Sequence, residues 1–156
     1  MTLVRPASPA EWSVARHLVE EYARSLAIDL GFQDFEHEIA SLADEYGPPH
    51  GCFLLAVADE VCVGCGGLRR LSHSACELKR LYVVPAHRDR GVGRRIAEAL
   101  ISHARLMTYQ TVMLDTLPSM AKAQHLYVAL GFMLADPYRH NPVPGATFWR
   151  LDLQIE

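Results

Sequence analysis

The stretch Leu81-Tyr82-Val83-Val84-Pro85-Ala86-His87-Arg88-Asp89-Arg90-Gly91-Val92-Gly93-Arg94-Arg95 joins a predicted buried strand to an arginine-rich loop that opens a helix. Glycine carries no Cβ, so Gly91 and Gly93 allow the backbone to turn tightly and to come close to a ligand. The first N–H groups of the following helix have no partner within the helix, and together with the positive end of its dipole they bind anions. The segment therefore predicts a phosphate-binding loop, and its arginines add positive charge on the same side.

The composition describes an ordinary globular protein. The chain has 156 residues, of which 50% are hydrophobic and 21% are charged, and its formal net charge is −3. We expect a single domain over residues 1–156, because this length buries a full core without disulfides or metals. This balance of hydrophobic and charged residues excludes a disordered chain, and the small net charge gives no sign of a nucleic-acid partner. Neither a signal peptide nor a membrane-spanning run is evident, which predicts a soluble, cytoplasmic protein with no membrane partner.

The four cysteines, Cys52, Cys62, Cys65 and Cys76, lie in or beside predicted strands. The Cys62-x-x-Cys65 spacing lacks the second ligand pair of a zinc knuckle and the strand-to-helix position of a redox motif. Reduced, buried thiols are the interpretation that we favour, and we predict no metal site.

The first half of the chain predicts a strand, two helices and a three-stranded meander. The capping box Ser8-Pro9-Ala10-Glu11 begins a helix after a short strand at Leu3–Arg5. Apolar residues at three- and four-residue spacing predict amphipathic helices over residues 12–26 and 35–46. The strands that follow are Phe53–Ala58, Val61–Leu68 and Cys76–Val84. Their short connecting turns indicate antiparallel pairing.

The second half predicts a helix on the sheet and a parallel strand beside the meander. Ile96, Leu100, Ile101, Ala104 and Met107 form one helical stripe after the glycine loop. A strand at Thr111–Asp115, a helix at Met120–Leu130 with Gly131 as its cap, and strands at Phe132–Leu134 and Thr147–Leu153 complete the chain. The resulting order, β-α-α-β-β-β-α-β-α-β-β, is that of an α/β (α+β) protein with a mixed sheet.

Two common nucleotide-binding motifs do not account for the loop. The chain contains no G-x-x-x-x-G-K-[ST] run, so it has no P-loop. In the dinucleotide fingerprint a third small residue follows the Gly-x-Gly pair, but here Ile96 takes that place, and Pro85–Arg90 separates the strand from Gly91. The loop also follows a meander, whereas a dinucleotide loop opens its domain.

The spacing Arg88-x-x-Gly91-x-Gly93 resembles the [QR]-x-x-G-x-[GA] pyrophosphate motif of the GNAT superfamily of N-acetyltransferases. The segments Glu77–Val83 and Ala123–Phe132 are similar to the same family, and the resemblance covers nearly the whole chain. It implies a GNAT-like fold, in which a central, mostly antiparallel sheet of six to seven strands is flanked by about four helices. It also implies transfer of the acetyl group of acetyl-CoA directly to an amine.

The resemblance assigns the coenzyme A site to the strand and the loop. The backbone of Leu81, Tyr82 and Val83 is expected to hydrogen-bond the pantetheine arm, which lies like an extra strand in a splayed gap of the sheet. Backbone N–H groups between Arg88 and Arg94 are expected to bind the pyrophosphate. The residues implied in cofactor binding are Leu81, Tyr82, Val83, Arg88, Arg90, Gly91, Val92, Gly93, Arg94 and Ser119.

Two residues are candidates for the chemistry. Amine acetylation needs a base, because a primary amine with a pKa near 10 is mostly protonated at neutral pH. Glu77 resembles the family's glutamate base, and we expect burial to raise its pKa; the alternative is a structural ion pair with Lys79, Arg80 or a basic residue of a neighbouring strand. Tyr127 resembles the general acid that protonates the leaving thiolate, and the alternative is a core aromatic residue.

The acceptor is the least determined part of the site. The resemblance points to the first two helices and their linker, and to the segment before the last strand, through Tyr22, Leu26, Phe32, Arg70, Tyr138 and His140. An amino acid or related small amine, or a protein amine, is the predicted acceptor. The family allows a homodimer. The alternative function is that of an acyl-CoA-binding regulatory or catalytically inactive relative.

Overall fold

The Val- and Leu-rich segments of the sequence build one seven-stranded sheet. The structure is a computed structural model and describes residues 1–31 and 34–153. The strands are β1 (Thr2–Val4), β2 (Cys52–Ala58), β3 (Val61–Arg70), β4 (Ala75–Val83), β5 (Thr111–Thr116), β6 (Met133–Ala135) and β7 (Thr147–Asp152). Their order in the sheet is β1-β2-β3-β4-β5-β7-β6. β4 and β5 pair in parallel and the other described pairings are antiparallel, as the sequence predicted.

Five described helices flank the sheet, where about four were expected. They are α1 (Pro9–Leu26), α2 (Phe35–Ala40), α3 (Leu42–Tyr46), α4 (Val92–Leu106) and α5 (Ala121–Ala129). The prediction of one continuous helix over residues 35–46 was wrong. The chain leaves helical geometry at Ser41, where φ is −138° and ψ is 38°. The Ser41 hydroxyl donates to the carbonyl of His37 at 2.7 Å, a local bond that competes with helix continuation.

The helices divide into two layers, one on each face of the sheet. α1, α2 and α3 cover a core that contains Val19, Tyr46 and Phe53, and α4 and α5 cover a larger core that contains Ile96 and Leu100. The start of α1 is the predicted capping box, in which the Ser8 hydroxyl accepts from the N–H of Glu11 at 3.1 Å and the Glu11 carboxylate accepts from the N–H of Ser8 at 3.1 Å. No helix in the described part of the chain is long and apolar enough to cross a membrane.

The parallel pair β4–β5 is joined over only part of its length. Residue pairing runs from Ala75 opposite Thr111 to Glu77 opposite Met113. β4 continues to Val83 and β5 to Thr116, and these continuations are not paired with each other in the described structure. The two strands therefore diverge, and a wedge-shaped gap opens in the middle of the sheet.

A bulge in β4 lies beside this gap. Between Cys65 opposite Tyr82 and Gly67 opposite Lys79, β3 contributes one residue and β4 contributes two. One of the two, Arg80, has a φ of +60°, which is uncommon for a residue with a side chain. The extra residue reverses the alternation of β4.

The reversal is visible in the packing of β4. Cys76 and Leu78 lie in the α4–α5 core before the bulge, whereas Leu81 and Val83 pack against that core after it. After the bulge, the odd-numbered residues of β4 therefore face the layer that contains α4, which follows the glycine loop.

Candidate active site

A cleft of about 630 Å³ runs from the start of α4 to the gap between β4 and β5. Its walls come from the end of β4, from the loop before α4, from the first turns of α4 and α5, and from Tyr22 and Leu26 of α1. Predicted cofactor residues that line it are Leu81, Tyr82, Val83, Arg88, Gly91, Val92, Gly93, Arg94 and Ser119. One predicted cofactor residue, Arg90, is exposed and is not among the lining residues, because its side chain leaves the loop toward solvent.

Gly91 sets the geometry of the phosphate loop. It occupies the N-cap of α4 with a φ of +78°, a left-handed conformation that glycine adopts without strain. The next N–H groups lie in the first turn of the helix, where they have no acceptor within the helix. The loop is fixed at its other end by Arg88, whose Nε donates to the carbonyl of Val83 at 2.9 Å while its guanidinium lies 5.5 Å from the ring centre of Tyr82.

Two further cations stand at the outer end of the cleft. Arg94 Nε contacts the Glu98 carboxylate at 2.7 Å, and Lys122 Nζ contacts that of Asp89 at 3.1 Å. All four side chains are largely exposed, so these pairs contribute little to stability and can exchange partners with an anionic ligand.

The inner end of the cleft leads to a small cavity of about 30 Å³ in the gap of the sheet. Tyr22, Leu26, Leu81 and Met120 line both the cleft and this inner cavity, so the two adjoin each other. The remaining lining residues of the inner cavity include Lys79, Arg80, Asp115, Tyr127 and Asn141. Polar side chains from four elements thus converge where the cleft ends.

Tyr127 reaches the inner cavity from α5. Its side chain is 4% exposed and packs edge to face on Phe132, with ring centres 5.6 Å apart. Burial raises the pKa of the phenol well above its usual value, which keeps it protonated. Tyr127 belongs to the α4–α5 core, as one of the two interpretations predicted, and it also lines the inner cavity; its role as a general acid stays a prediction.

Glu77 lies at the centre of a buried ionic network. Its Oε1 accepts from Arg69 Nε at 3.0 Å and from an Arg139 nitrogen at 2.7 Å, and its Oε2 accepts from the Tyr138 hydroxyl. Lys79 Nζ is 4.0 Å from Oε2. The network continues through Arg69 to a second buried carboxylate on α2.

That second carboxylate is Glu38. It accepts from Arg80 at 2.7 and 2.9 Å, from the Tyr46 hydroxyl at 3.0 Å and from Arg69 at 3.3 Å. The network therefore joins α2, α3, β3, β4 and the segment before β7.

The expected rise in the pKa of Glu77 was wrong. Burial does act to raise it, but the charges of Lys79, Arg69 and Arg139 and the hydrogen bond from Tyr138 outweigh burial and lower the pKa. A carboxylate that is fully buried, engaged at both oxygens and held ionised is a weak proton acceptor. The ion pairs that the sequence named as the alternative are present, with Lys79 and with Arg69 of the neighbouring strand, and the role of Glu77 as a base stays a prediction.

Lys79 is the site residue that sequence reasoning missed. It is 5% exposed and lies two residues before Leu81, on the wall of the inner cavity. Burial lowers its pKa to about 7, despite the opposing effects of Glu77 and Asp115. The available signal was a lysine in the middle of a strand whose neighbours Leu78 and Leu81 are apolar, but the pattern indicated Lys79 only as an ion-pair partner for Glu77.

The predicted acceptor residues separate in space. Tyr22 lines both the cleft and the inner cavity, and Tyr138 contacts Glu77 behind that cavity. Arg70 lies at the far end of β3, where it contacts His50 at 3.2 Å and His73 at 3.3 Å, so it does not join the site. His140 is exposed and is not among the residues that line the inner cavity. Phe32 lies outside the described residues.

Three of the four cysteines are buried, as predicted, and Cys62 is half-buried. All four are free thiols, and Cys76 lies in the α4–α5 core, on the face of β4 opposite to Glu77. Burial raises the pKa of Cys76 to about 12, so this thiol is a poor nucleophile. No group of three or more histidine, cysteine, aspartate or glutamate side chains suited to a metal ion occurs within residues 1–31 and 34–153.

Comparison with known proteins assigns the family. Residues 12–132 match the acetyltransferase (GNAT) family. An uncharacterized N-acetyltransferase of Schizosaccharomyces pombe is 34% identical over 147 residues, which cover 93% of this chain and 90% of the relative. The chain therefore belongs to the GNAT acetyltransferase family, as the resemblance predicted.

Solved structures agree on the fold. A GNAT acetyltransferase of Staphylococcus aureus is 19% identical and superposes with a TM-score of 0.81 over 98% of this chain and 99% of its own. An acetyltransferase of Salmonella typhimurium, solved with its cofactor acetyl-CoA, is 19% identical and has a TM-score of 0.70 over 100% of this chain and 95% of its own. The seven-stranded sheet with flanking helices is thus a GNAT fold, which confirms the predicted fold class.

Proposed function

We propose that this chain transfers the acetyl group of acetyl-CoA to a primary amine. The observation that carries the proposal is the cleft that begins at the anion-binding end of α4 and adjoins the inner cavity, which Tyr127 lines in the gap of the sheet. Family membership and the Salmonella neighbour's cofactor support the same assignment.

The residues present fit acetyl-CoA along its length. The N–H groups of the first turn of α4 suit a pyrophosphate, and Arg88, Arg94 and Lys122 supply positive charge around them. The edge of β4 that faces the gap is not paired with β5 from Leu78 to Val83, so its backbone groups suit the amides of a pantetheine arm. When bound, acetyl-CoA supplies an acetyl group activated as a thioester.

Tyr127 is the proposed general acid. Its phenol stays protonated because burial raises its pKa, and it lies where the cleft meets the inner cavity. A donor at this point stabilises a departing thiolate by giving it a proton.

The inner cavity favours the amine end of a slender acceptor. At about 30 Å³ it accommodates a group the size of an ammonium or methyl, and Asp115 and Asn141 supply oxygen acceptors for N–H groups. The acceptor class that we infer is therefore an unbranched primary amine of a small molecule or of a protein. A homodimer and a cytoplasmic location stay predictions.

Acetyl-CoA binding is tested by thermal unfolding. We expect saturating acetyl-CoA to raise the melting temperature of the wild-type protein, since a ligand that binds the native state stabilises it. Gly91→Glu places a carboxylate in the anion site and forces a residue with a Cβ into a φ of +78°. This variant is expected to lose the rise in melting temperature. Leu106→Glu introduces the same charge at the exposed C-terminal end of α4 and is expected to retain it. An unchanged wild-type melting curve would refute the cofactor assignment.

Transfer is tested by following thiol release from acetyl-CoA across amino acids, polyamines, aminoglycosides and peptides with free N-termini. We expect turnover with at least one primary amine. A protein that binds acetyl-CoA but turns over none of them would instead be the regulatory or inactive relative that the sequence left as an alternative.

A further inference from the structure

We propose that Lys79, and not Glu77, is the base that removes the proton from the acceptor amine. The inference rests on the proposed acetyl transfer and assigns a role that the sequence motif had given to Glu77. It is carried by the position of the two side chains relative to the inner cavity.

Access separates the two candidates. Lys79 forms part of the wall of the inner cavity, together with Tyr127 and Asp115. Glu77 is 0% exposed and is not among the residues that line this cavity. Both of its oxygens already accept hydrogen bonds, from Arg69 and Arg139 at one and from Tyr138 at the other. An amine in the inner cavity therefore meets Lys79 before it can reach Glu77.

The arginines of the network offset its glutamates without Lys79. The carboxylates of Glu38, Glu77 and Glu45 carry three negative charges, and the arginines 69, 80 and 139 carry three positive charges, all joined by contacts of 4.0 Å or less. With these charges offset, Arg80 and Arg69 oppose a positive charge on Lys79, whereas Glu77 and Asp115 favour one.

The proton affinity of Lys79 suits a base at neutral pH. Its pKa is lowered to about 7; burial is the largest cause, Arg80 and Arg69 act in the same direction, and Glu77 and Asp115 oppose them. A base with a pKa near the working pH combines a deprotonated form with useful basicity. The titratable and charged groups around Lys79 are Glu77 and Arg80 of β4, Arg69 of β3, Asp115 of β5, Tyr22 of α1, Tyr127 of α5, and Tyr138 and Arg139 before β7.

The proposed proton path is balanced. The acceptor ammonium gives one proton to the neutral Nζ of Lys79, which later releases it to solvent. The amine nitrogen then forms a bond to the acetyl carbon as the bond from that carbon to sulfur breaks. Tyr127 delivers its proton to the sulfur, and the second N–H proton leaves the nitrogen and restores the Tyr127 phenol, so the products are an N-acetyl amide, a free thiol and the one proton that Lys79 releases.

The first test is a direct titration of Lys79. The chain contains only two lysines, Lys79 and Lys122, so [13Cε]lysine labelling gives two side-chain signals, and Lys122→Met assigns them. We expect the Lys79 signal to titrate near pH 7 in the protein without acceptor. A Lys79 signal that stays protonated through pH 9 would overturn the proposal.

The second test is a pH profile of acetyl transfer. The wild-type kcat/KM is expected to rise with an inflection near pH 7. Lys79→Met is expected to lower kcat/KM by about 100-fold at pH 7.5 and to remove this inflection. Lys79→Arg keeps a positive charge that does not dissociate, so it is expected to fail as well.

Measurements of acetyl-CoA binding distinguish failure of the base role of Lys79 from failure of the proposed acetyl transfer. Both variants are expected to retain the acetyl-CoA thermal shift, because Lys79 lies beyond the residues that line the cofactor cleft. Activity in Lys79→Arg within threefold of wild type would overturn the base role and leave the proposed function standing. A wild-type protein inactive toward every amine would overturn both.

Discussion

Tyr127 is the residue at which packing and proposed chemistry meet. Tyr127→Phe removes one oxygen and keeps the ring that packs on Phe132. We expect turnover to fall by about 100-fold, because the leaving thiolate loses its proton donor, with acetyl-CoA binding unchanged. Steady-state kinetics and the thermal shift measure the two effects separately.

Tyr109 provides a matched control for this substitution. It is also 4% exposed, and its hydroxyl donates to the carbonyl of His50 at 2.6 Å, away from the cleft. Tyr109→Phe is expected to cost about 1 kcal/mol of stability and to leave turnover at the wild-type level. Equal losses of turnover in Tyr127→Phe and Tyr109→Phe would show that Tyr127 has only a structural role.

At the residue scale, the sequence located side chains better than it described their state. It led to a raised pKa being expected for Glu77, because the arginines that contact this carboxylate are distant along the chain. Arg139 is 62 residues away and Arg69 is on another strand. Contacts of this kind depend on tertiary packing, which local sequence patterns do not encode. The same limit misplaced Arg70, whose strand position gave no sign that it lies at the far end of β3.

At the scale of elements, Glu38 ties α2 to the bulged strand β4. Its bidentate contact with Arg80 holds the one β4 residue that has a positive φ. Glu38→Gln would leave the buried Arg80 charge without a counterion, so we expect the free energy of unfolding to drop by about 3–5 kcal/mol. Urea unfolding at pH 7 measures this loss.

Glu36 is the control for that experiment, because it lies exposed on the same helix. Glu36→Gln makes the same chemical change at the surface and is expected to alter the free energy of unfolding by less than about 0.5 kcal/mol. A Glu38→Gln protein as stable as Glu36→Gln would show that the pair with Arg80 contributes nothing.

Elements whose signals are local were predicted well. The capping box of α1 and the glycine N-cap of α4 depend on neighbouring residues, and both were found where expected. The break at Ser41 and the bulge at Arg80 were not predicted. The bulge lies where one residue of β3 is opposite two residues of β4. Predicting it requires knowledge of which strand pairs with β4 and in what register.

At the scale of the whole molecule, two buried carboxylates make the fold sensitive to acid. Cationic neighbours outweigh burial and lower the pKa of Glu38 and of Glu77 in the folded state. Groups with a lowered folded pKa stabilise the protein above their unfolded pKa, and this contribution is lost as the pH falls through the folded pKa. Below about pH 4.5 we therefore expect the free energy of unfolding to fall, with a limiting slope of about 2.7 kcal/mol per pH unit for two protons.

Urea titrations at pH 7, 5, 4 and 3.5 measure this dependence. The contribution of Glu38 and Glu77 is expected to be constant between pH 6 and 8. A free energy of unfolding that is flat down to pH 3.5 would contradict the assignment of two low-pKa carboxylates.

The divergence of β4 and β5 also bears on solubility. An unpaired strand edge is a template for association with other chains, and proteins commonly keep such edges short. Here the two outermost strands, β1 and β6, have three residues each, whereas the longer unpaired run of β4 faces inward, between α1 and α5. A narrow, flexible chain can enter that space, but the strand of another protein with its flanking side chains cannot. The molecule thereby keeps a binding-competent edge without exposing it to aggregation.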